Sequence, residues 1–136
     1  MKIELAKKPS RKFWIKKLDD LARKVIKARD KVCVRCGKIL NLQVAHIFPK
    51  GKYTRLRWDS DNLLLLCYGC HFHFAHKNPL MFSEWFREKY PDRYKILKLR
   101  SQVNWKGKSD YAGWELLLKE TLKKLCDTIP KTKDAC

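Results

Sequence analysis

Cys33-Val-Arg-Cys36 and Cys67-Tyr-Gly-Cys70 are two Cys-x-x-Cys pairs. Their four thiolates form a soft donor set that suits tetrahedral zinc, about 2.3 Å from each sulfur. A closed four-sulfur site leaves no position for substrate, so its expected role is structural. Exchange of one cysteine for a histidine ligand is the competing arrangement. All four histidines, His46, His71, His73 and His76, fall between Leu42 and Pro79, the stretch that also holds the second pair. Of these, His46 and His71, with Asn62, can converge as a strand histidine, a helix histidine and a loop asparagine. Such a trio suits hydrolysis of a phosphodiester. That reaction needs a base for water, an ion to stabilise charge on the phosphorane oxygens and leaving group, and cations to hold the backbone. Imidazole, with an ordinary pKa near ~6.5, suits the first task. A neutral imidazole and an amide or carboxylate oxygen can ligate a divalent ion. Lys50, Lys52, Arg55 and Arg57 suit the third task.

The elements that must position these groups follow from periodicity and punctuation. Ser10 can cap a helix running to about Arg29, with Trp14, Leu18, Leu21 and Val25 as its apolar stripe. Lys16, Lys17, Arg23, Lys24 and Lys27 occupy its other faces, as a solvated surface or a backbone-contacting one. Gly37 lets the chain turn sharply after the first cysteine pair. Leu42 to Ile47 alternates as a strand does, and Phe48-Pro49 ends it. Lys50 to Arg57 is a basic loop, and Trp58 to Asn62 reads as a turn. Leu63 to Leu66 is a continuous apolar run, as expected of a strand buried on both faces. A helix should begin in Cys67–His71 and reach about Lys77. Asn78-Pro79 starts another, with Asn as cap and Pro at the first position. Pro91 stops it, a short helix spans Asp92 to about Gln102, and a last helix begins near Asp110. The tail Pro130–Cys136 should fray. Trp14, Phe82, Trp85, Phe86 and Trp114 are expected in the core. Cys126 and Cys136 receive no role.

The chain has 136 residues, 32 Lys+Arg against 14 Asp+Glu, and a formal net charge of +18. That excess favours a polyanionic partner, because each phosphate neutralised releases condensed counterions. An anionic membrane surface is the minor alternative. The 45% hydrophobic share supports a folded core. No apolar run suits a membrane span, and Met1–Lys12 lacks the apolar stretch of a signal peptide, so a cytoplasmic protein with reduced thiols is expected.

The run Cys33–Cys36, Ala45-His46-Ile47, Asp61-Asn62 and Cys67–Cys70-His71 resembles an HNH nuclease of the zinc-knuckle ββα-metal type. The longer pattern AHIFPKG, LRWDSDNLLLLCYGCH and HKNP, followed by an F-x-x-W-F helix, is similar to phage NinG/Rap-like recombination nucleases. The first resemblance covers residues 33–77, and the second reaches about residue 90. Together they imply an α+β fold: a small zinc-stapled ββα-metal, treble-clef-like core flanked by N-terminal and C-terminal helices. The corresponding divisions are a basic arm and helix (1–31), the zinc core (32–78) and a helical extension (79–136). By this resemblance His46 is the general base for water. Asn62 is the family asparagine, which ligates metal in some members and fixes the loop between the strands in others. His71 is a ligand of one catalytic divalent ion, magnesium or manganese, beside the structural zinc. The implied substrate is DNA, including branched or recombination intermediates, cut to 5′-phosphate and 3′-hydroxyl ends in the host cytoplasm. One such centre cuts one strand, so junction resolution implies a homodimer.

There is one departure from the family pattern. Many members carry Asp or His immediately before the base, as a metal ligand, and here that residue is Ala45. His76 is the first substitute, Asp59 and Asp61 are further ones, and His73 should point about 200° away from His71 on an ideal helix. Without a replacement a hard ion binds weakly, which leaves room for a softer metal. The competing function is a non-catalytic zinc module that binds nucleic acid by charge and shape. It has no need of the His46–Asn62–His71 set.

Overall fold

The structure is a computed structural model and describes residues 3–104 and 106–128. The expected tail Pro130–Cys136 lies outside the described residues. The protein is a mixed helical and β structure built around a two-stranded antiparallel sheet, β1 (Leu42–His46) and β2 (Leu63–Cys67). Leu42 faces Cys67 and His46 faces Leu63 across the pair.

The apolar run in β2 has the expected cause. Both faces of the strand are covered, and Leu63, Leu64, Leu65 and Leu66 are each at most 1% exposed. Leu63 and Leu65 pack into one cluster with Leu18, Ala22, Val25 and Ile26 of α1 (Arg11–Asp30) and Leu118 of α4 (Tyr111–Asp127). Leu64 and Leu66 point the other way, into a cluster with Phe82 and Phe86 of α2 (Pro79–Lys89) and Leu97 of α3 (Pro91–Ser101). Burial of each leucine stabilises the fold by about 1.5–3 kcal/mol. The helices thus sit on both sides of a sheet too small to have a core of its own.

Local signals account for the helix ends. The Ser10 hydroxyl accepts from the Phe13 amide at 3.1 Å, and Asp110 accepts from the Gly113 amide at 2.9 Å. Asn78 stands before α2 but makes no side-chain capping bond, so Pro79 at the first turn is what starts that helix. Pro91 both ends α2 and opens α3. Trp58, expected in a turn, is 3% exposed and packs against Trp114 and Tyr111. The expected core aromatics divide: Phe82 and Phe86 are buried, while Trp14, Trp85 and Trp114 lie at the edges of the two clusters.

Two arginines lock the turn that enters β2. Arg29 of α1 donates to the Ser60 carbonyl at 2.7 Å and to the Leu63 carbonyl at 2.6 Å. Arg93 of α3 donates to the Asp61 and Leu63 carbonyls, each at 2.6 Å. Backbone acceptors left orphaned by the short sheet are satisfied in this way from both helical layers. Among the described residues no helix is long and apolar enough to cross a membrane.

Candidate metal centre and histidine cleft

The first cysteine pair lies on a tight knuckle. Gly37 adopts φ 79°, a backbone state that costs glycine little, and its amide bonds the Cys33 carbonyl at 2.8 Å. The Val34 amide reaches the Leu65 carbonyl at 3.0 Å, which docks the knuckle on β2. The second pair sits where β2 ends, and the Cys70 amide donates to Cys67 Sγ at 3.5 Å. As a result the Sγ atoms of Cys33, Cys36, Cys67 and Cys70 all lie within 4.8 Å of one another.

That donor set fits a metal such as zinc. Tetrahedral zinc with bonds of about 2.3 Å separates its sulfurs by about 3.8 Å, and Cys36 Sγ already lies 3.6 Å from Cys67 Sγ. The cluster contains no histidine, so the mixed Cys/His alternative does not apply. The thiols respond unequally to their crowding. Burial raises the Cys33 pKa, but hydrogen bonds from the Cys67, Cys36 and Arg35 amides outweigh it and bring it down to about 6. Burial, and then the neighbouring thiols, push Cys70 up to about 12 against the Arg35 bond. Four thiolates this close repel, and a divalent cation lets all of them ionise together. Arg35 Nη1 also donates to Cys70 Sγ at 3.5 Å while its guanidinium lies 3.7 Å over the Phe74 ring.

A separate cleft of about 320 Å³ lies on the α1 side of the sheet, and both His46 and His71 line it, with Asp19, Gln43, Lys50 and Arg57. At the end of β1, His46 Nε2 bonds the Arg57 carbonyl at 3.0 Å. A carbonyl only accepts, so Nε2 carries the proton and Nδ1 keeps its lone pair. Burial, and then the charges of Lys50 and Arg57, hold the His46 pKa below its ordinary value, although the Arg57 carbonyl opposes them. The imidazole is therefore neutral near pH 7 and able to take a proton.

His71 and His76 belong to a π-helix, Gly69–His76, in place of the expected α-helix. The difference decides where His76 lies. Five residues of ideal α-helix leave two side chains about 140° apart. The i→i+5 bonding of a π-turn instead returns the fifth residue toward the same face. His76 Nε2 lies 3.0 Å from His71 Nε2, with ring centroids 4.6 Å apart. Two imidazole nitrogens on one ion, at bonds of about 2.0–2.1 Å, sit about 3.0–3.4 Å apart. As it stands the contact is a hydrogen bond, and release of its shared proton would leave two nitrogens spaced for one ion. His71 Nδ1 donates to Gln43 Oε1 at 2.7 Å, which directs its Nε2 lone pair toward His76. Burial, and then the charges of His76 and His46, lower the His71 pKa.

The remaining expected residues divide. Asn62 is fully buried. Its Oδ1 accepts from the Phe48 amide at 2.7 Å, and its Nδ2 donates to the Phe48 and Leu56 carbonyls, each at 3.0 Å. Both ends of the amide are committed to the loop backbone and Asn62 does not line the cleft, so it fixes the loop and leaves the ligand set. Ala45 is 1% exposed, packs in the α2-side cluster and does not line the cleft. Asp59 caps the turn through the Asp61 amide, and Asp59 and Asp61 both pair with Arg100, at 2.7 and 2.8 Å; they line another pocket. Capping was expected of them, but pairing was expected with Arg55 or Arg57 and is made with Arg100 instead; neither aspartate lines the histidine cleft. His73 sets its ring edge-on to Tyr68 and Phe72. Lys50, Lys52 and Arg55 are exposed. Arg57 is a correction to the phosphate-gripping set: Nε and Nη2 form a two-pronged bond to Asp19 at 3.0 and 2.7 Å, so its charge is already matched.

Asp19 and Gln43 are cleft residues that sequence reasoning missed. Asp19 also accepts from the Trp58 indole at 2.9 Å. Burial raises its pKa, but the bonds from Arg57 and Trp58 outweigh this and lower it. The one available signal was Asp19-Asp20, an acidic pair interrupting an otherwise basic helix face. Comparison with protein-family models, with curated proteins and with solved structures finds no match.

Proposed function

We propose that the protein is a metal-dependent DNA endonuclease of the HNH type, with a zinc-stapled ββα-metal core formed by the two strands and the π-helix. The observation that carries the reading is the shared cleft: His46, whose Nε2 is bonded to the Arg57 carbonyl and whose Nδ1 keeps its lone pair, lines it together with His71, which in turn touches His76. A purely structural zinc module has no use for that arrangement.

In this reading DNA lies across the cleft, with exposed Lys50, Lys52 and Arg55 against its phosphates. His46 Nδ1 takes a proton from water, the water oxygen bonds to phosphorus, and the opposite P–O3′ bond breaks. The Arg57 carbonyl holds the imidazole in the required tautomer and favours the imidazolium that forms. Asp19 holds the Arg57 side chain and so steadies the segment that presents this carbonyl. His71 and His76 would hold the divalent ion, with Gln43 orienting His71. When bound, that ion supplies charge stabilisation for the phosphorane and the leaving 3′-oxygen. Solvent water protonates the leaving 3′-oxygen, so the products are a 5′-phosphate and a 3′-hydroxyl. The four cysteines would hold the structural zinc.

The test uses supercoiled plasmid and a synthetic four-way junction, with magnesium or manganese added to zinc-loaded protein. Wild type should hydrolyse at least one substrate, and His46→Ala should be slower by about 10²–10⁴-fold. His76→Ala should need more manganese for half-maximal rate. Equal cleavage by wild type and His46→Ala would remove His46 as base. DNA binding with no hydrolysis under any ion would favour the non-catalytic zinc module. Preference for the junction over linear duplex would support a branched substrate, and a dimer in solution would be needed to cut both strands.

A further inference from the structure

We infer that Tyr68, Phe72 and His76 form a base-stacking platform that takes an unpaired base of single-stranded DNA beside the histidine pair. The three rings recur every fourth residue and make a ladder. Tyr68 and Phe72 lie nearly parallel, 8° apart, with centroids at 5.5 Å, and Phe72 stacks on His76 at 6.4 Å and 26°. Tyr68 and Phe72 are 48% and 43% exposed, whereas Phe82 and Phe86 on this side of the sheet are buried and Phe48 and Phe74 partly so. Two large rings left in water in register with each other are costly unless something covers them.

The surroundings say what kind of occupant fits. Lys77 Nζ sits 5.5 Å from the Phe72 centroid, and the chain carries +18 overall. Flat aromatic rings beside a cation match a flat base on an anionic backbone, and every base offers a π-face, so such a platform is tolerant of sequence. A stacked duplex has no base face free to enter the ladder, so the platform distinguishes unpaired from paired DNA. The His76 end of the ladder is also the end that touches His71, at 3.0 Å. A strand stacked on Tyr68 and Phe72 therefore runs toward the proposed ion pair. The inference rests on the DNA reading and gives it a substrate class, DNA with an unpaired segment at the cut.

The experiment reads binding apart from cleavage. A single-stranded oligonucleotide carrying 2-aminopurine, and the same oligonucleotide in duplex form, are titrated with zinc-loaded full-length protein with no other divalent ion added. Wild type should change the 2-aminopurine fluorescence of the single strand on binding. Phe72→Ala and Tyr68→Ala should each weaken single-strand binding by about 5- to 150-fold, with duplex binding held within about 2-fold. Phe72→Tyr and Tyr68→Phe, which keep a ring, should stay near wild type. Phe72 lies outside the cysteine knuckle, and unchanged zinc content and circular dichroism verify that each variant is folded. Unchanged single-strand affinity in both alanine variants overturns the proposal. So does an equal fall for single strand and duplex, or a wild type that binds no single strand. Plasmid cleavage measured in parallel separates the two readings. Ring-dependent binding without cleavage leaves the platform and removes the nuclease, and cleavage with ring-independent binding does the reverse.

Discussion

Replacing Asn62 by alanine removes three hydrogen bonds at once: from the Phe48 amide at 2.7 Å, and to the Phe48 and Leu56 carbonyls at 3.0 Å. Each is made by the fully buried Asn62 amide, so each contributes about 1 kcal/mol, and backbone groups left unpaired add to the loss. The expected cost is about 3–5 kcal/mol, a large share of the 5–15 kcal/mol typical of a domain. For a chain of this size that lowers the melting temperature by roughly 10–20 °C. Asn62→Asp sharpens the test. It keeps the acceptor for the Phe48 amide but turns an oxygen on two carbonyls that need a donor, so it should destabilise at least as much at neutral pH. A metal ligand at this position would behave in the opposite way, since a carboxylate binds a divalent ion at least as well as an amide oxygen does. The assay is thermal melting in excess zinc, with a manganese titration of each variant well below its transition. Asn62→Ala melting within about 2 °C of wild type, together with loss of manganese binding, would refute the loop-fixing role. So would an aspartate variant that melts normally and binds manganese more tightly.

Two further outcomes follow from the site. Zinc removal by a strong chelator, or Cys67→Ser, should unfold the sheet, because a structural zinc contributes about 10–16 kcal/mol and exceeds what a core of this size supplies alone. Circular dichroism and metal analysis check this: about one zinc per chain before treatment, and helix content unaffected by the chelator would refute it. In the proposed reaction His46 must be neutral to act, so the rate holds above its pKa and falls as pH drops through it. Burial, followed by Lys50 and Arg57, sets that pKa below the ordinary 6.5, so the acid limb of the rate profile should lie below pH 6.5. Lys50→Gln removes one lowering charge and should move the limb to higher pH; a shift to lower pH, or none, would contradict the assignment.

How legible all this was in the sequence depends on the range of the interaction involved. The cysteine pairs were readable because two residues between thiols is itself the metal-binding geometry, and the four sulfurs do converge. The Leu63–Leu66 run was readable because only a strand covered on both faces tolerates it. The stripe on α1 was readable for the same kind of reason, a period written in the chain. What was hidden depends on partners far apart. Asp19 meets Arg57 and Trp58 across the fold. Nothing near Arg57 in sequence marks it as paired rather than free, so it read as one more cation of a basic loop. Asn62 looked equally fit for ion or loop until Phe48 and Leu56 were seen around it.

The π-helix is the instructive case, because His76 was expected near the same helix face as His71, and it is the π-turn, not an α-turn, that brings it there. Gly-Cys-His-Phe-His-Phe-Ala-His carries no period that tells i+5 from i+4 closure, and α-helical reasoning would set His76 well round the barrel of the helix. The wider turn instead places His76 on His71 at 3.0 Å and leaves Tyr68, Phe72 and His76 in a single ladder. π-turns are rare and less well packed than α-turns, and they recur where a side chain must be re-aimed. Here the strand position that could have supplied a ligand is Ala45, sealed in the core at 1% exposure. In the proposed enzyme a second histidine brought in by the helix would answer that loss without altering the strand. In the proposed enzyme, the same irregular turn then sets both the ion's partner and the surface that meets the DNA. A substitution that returned Gly69–His76 to α-helical closure should therefore weaken ion and single-strand binding together, while Cys70 and the zinc cluster stayed in place.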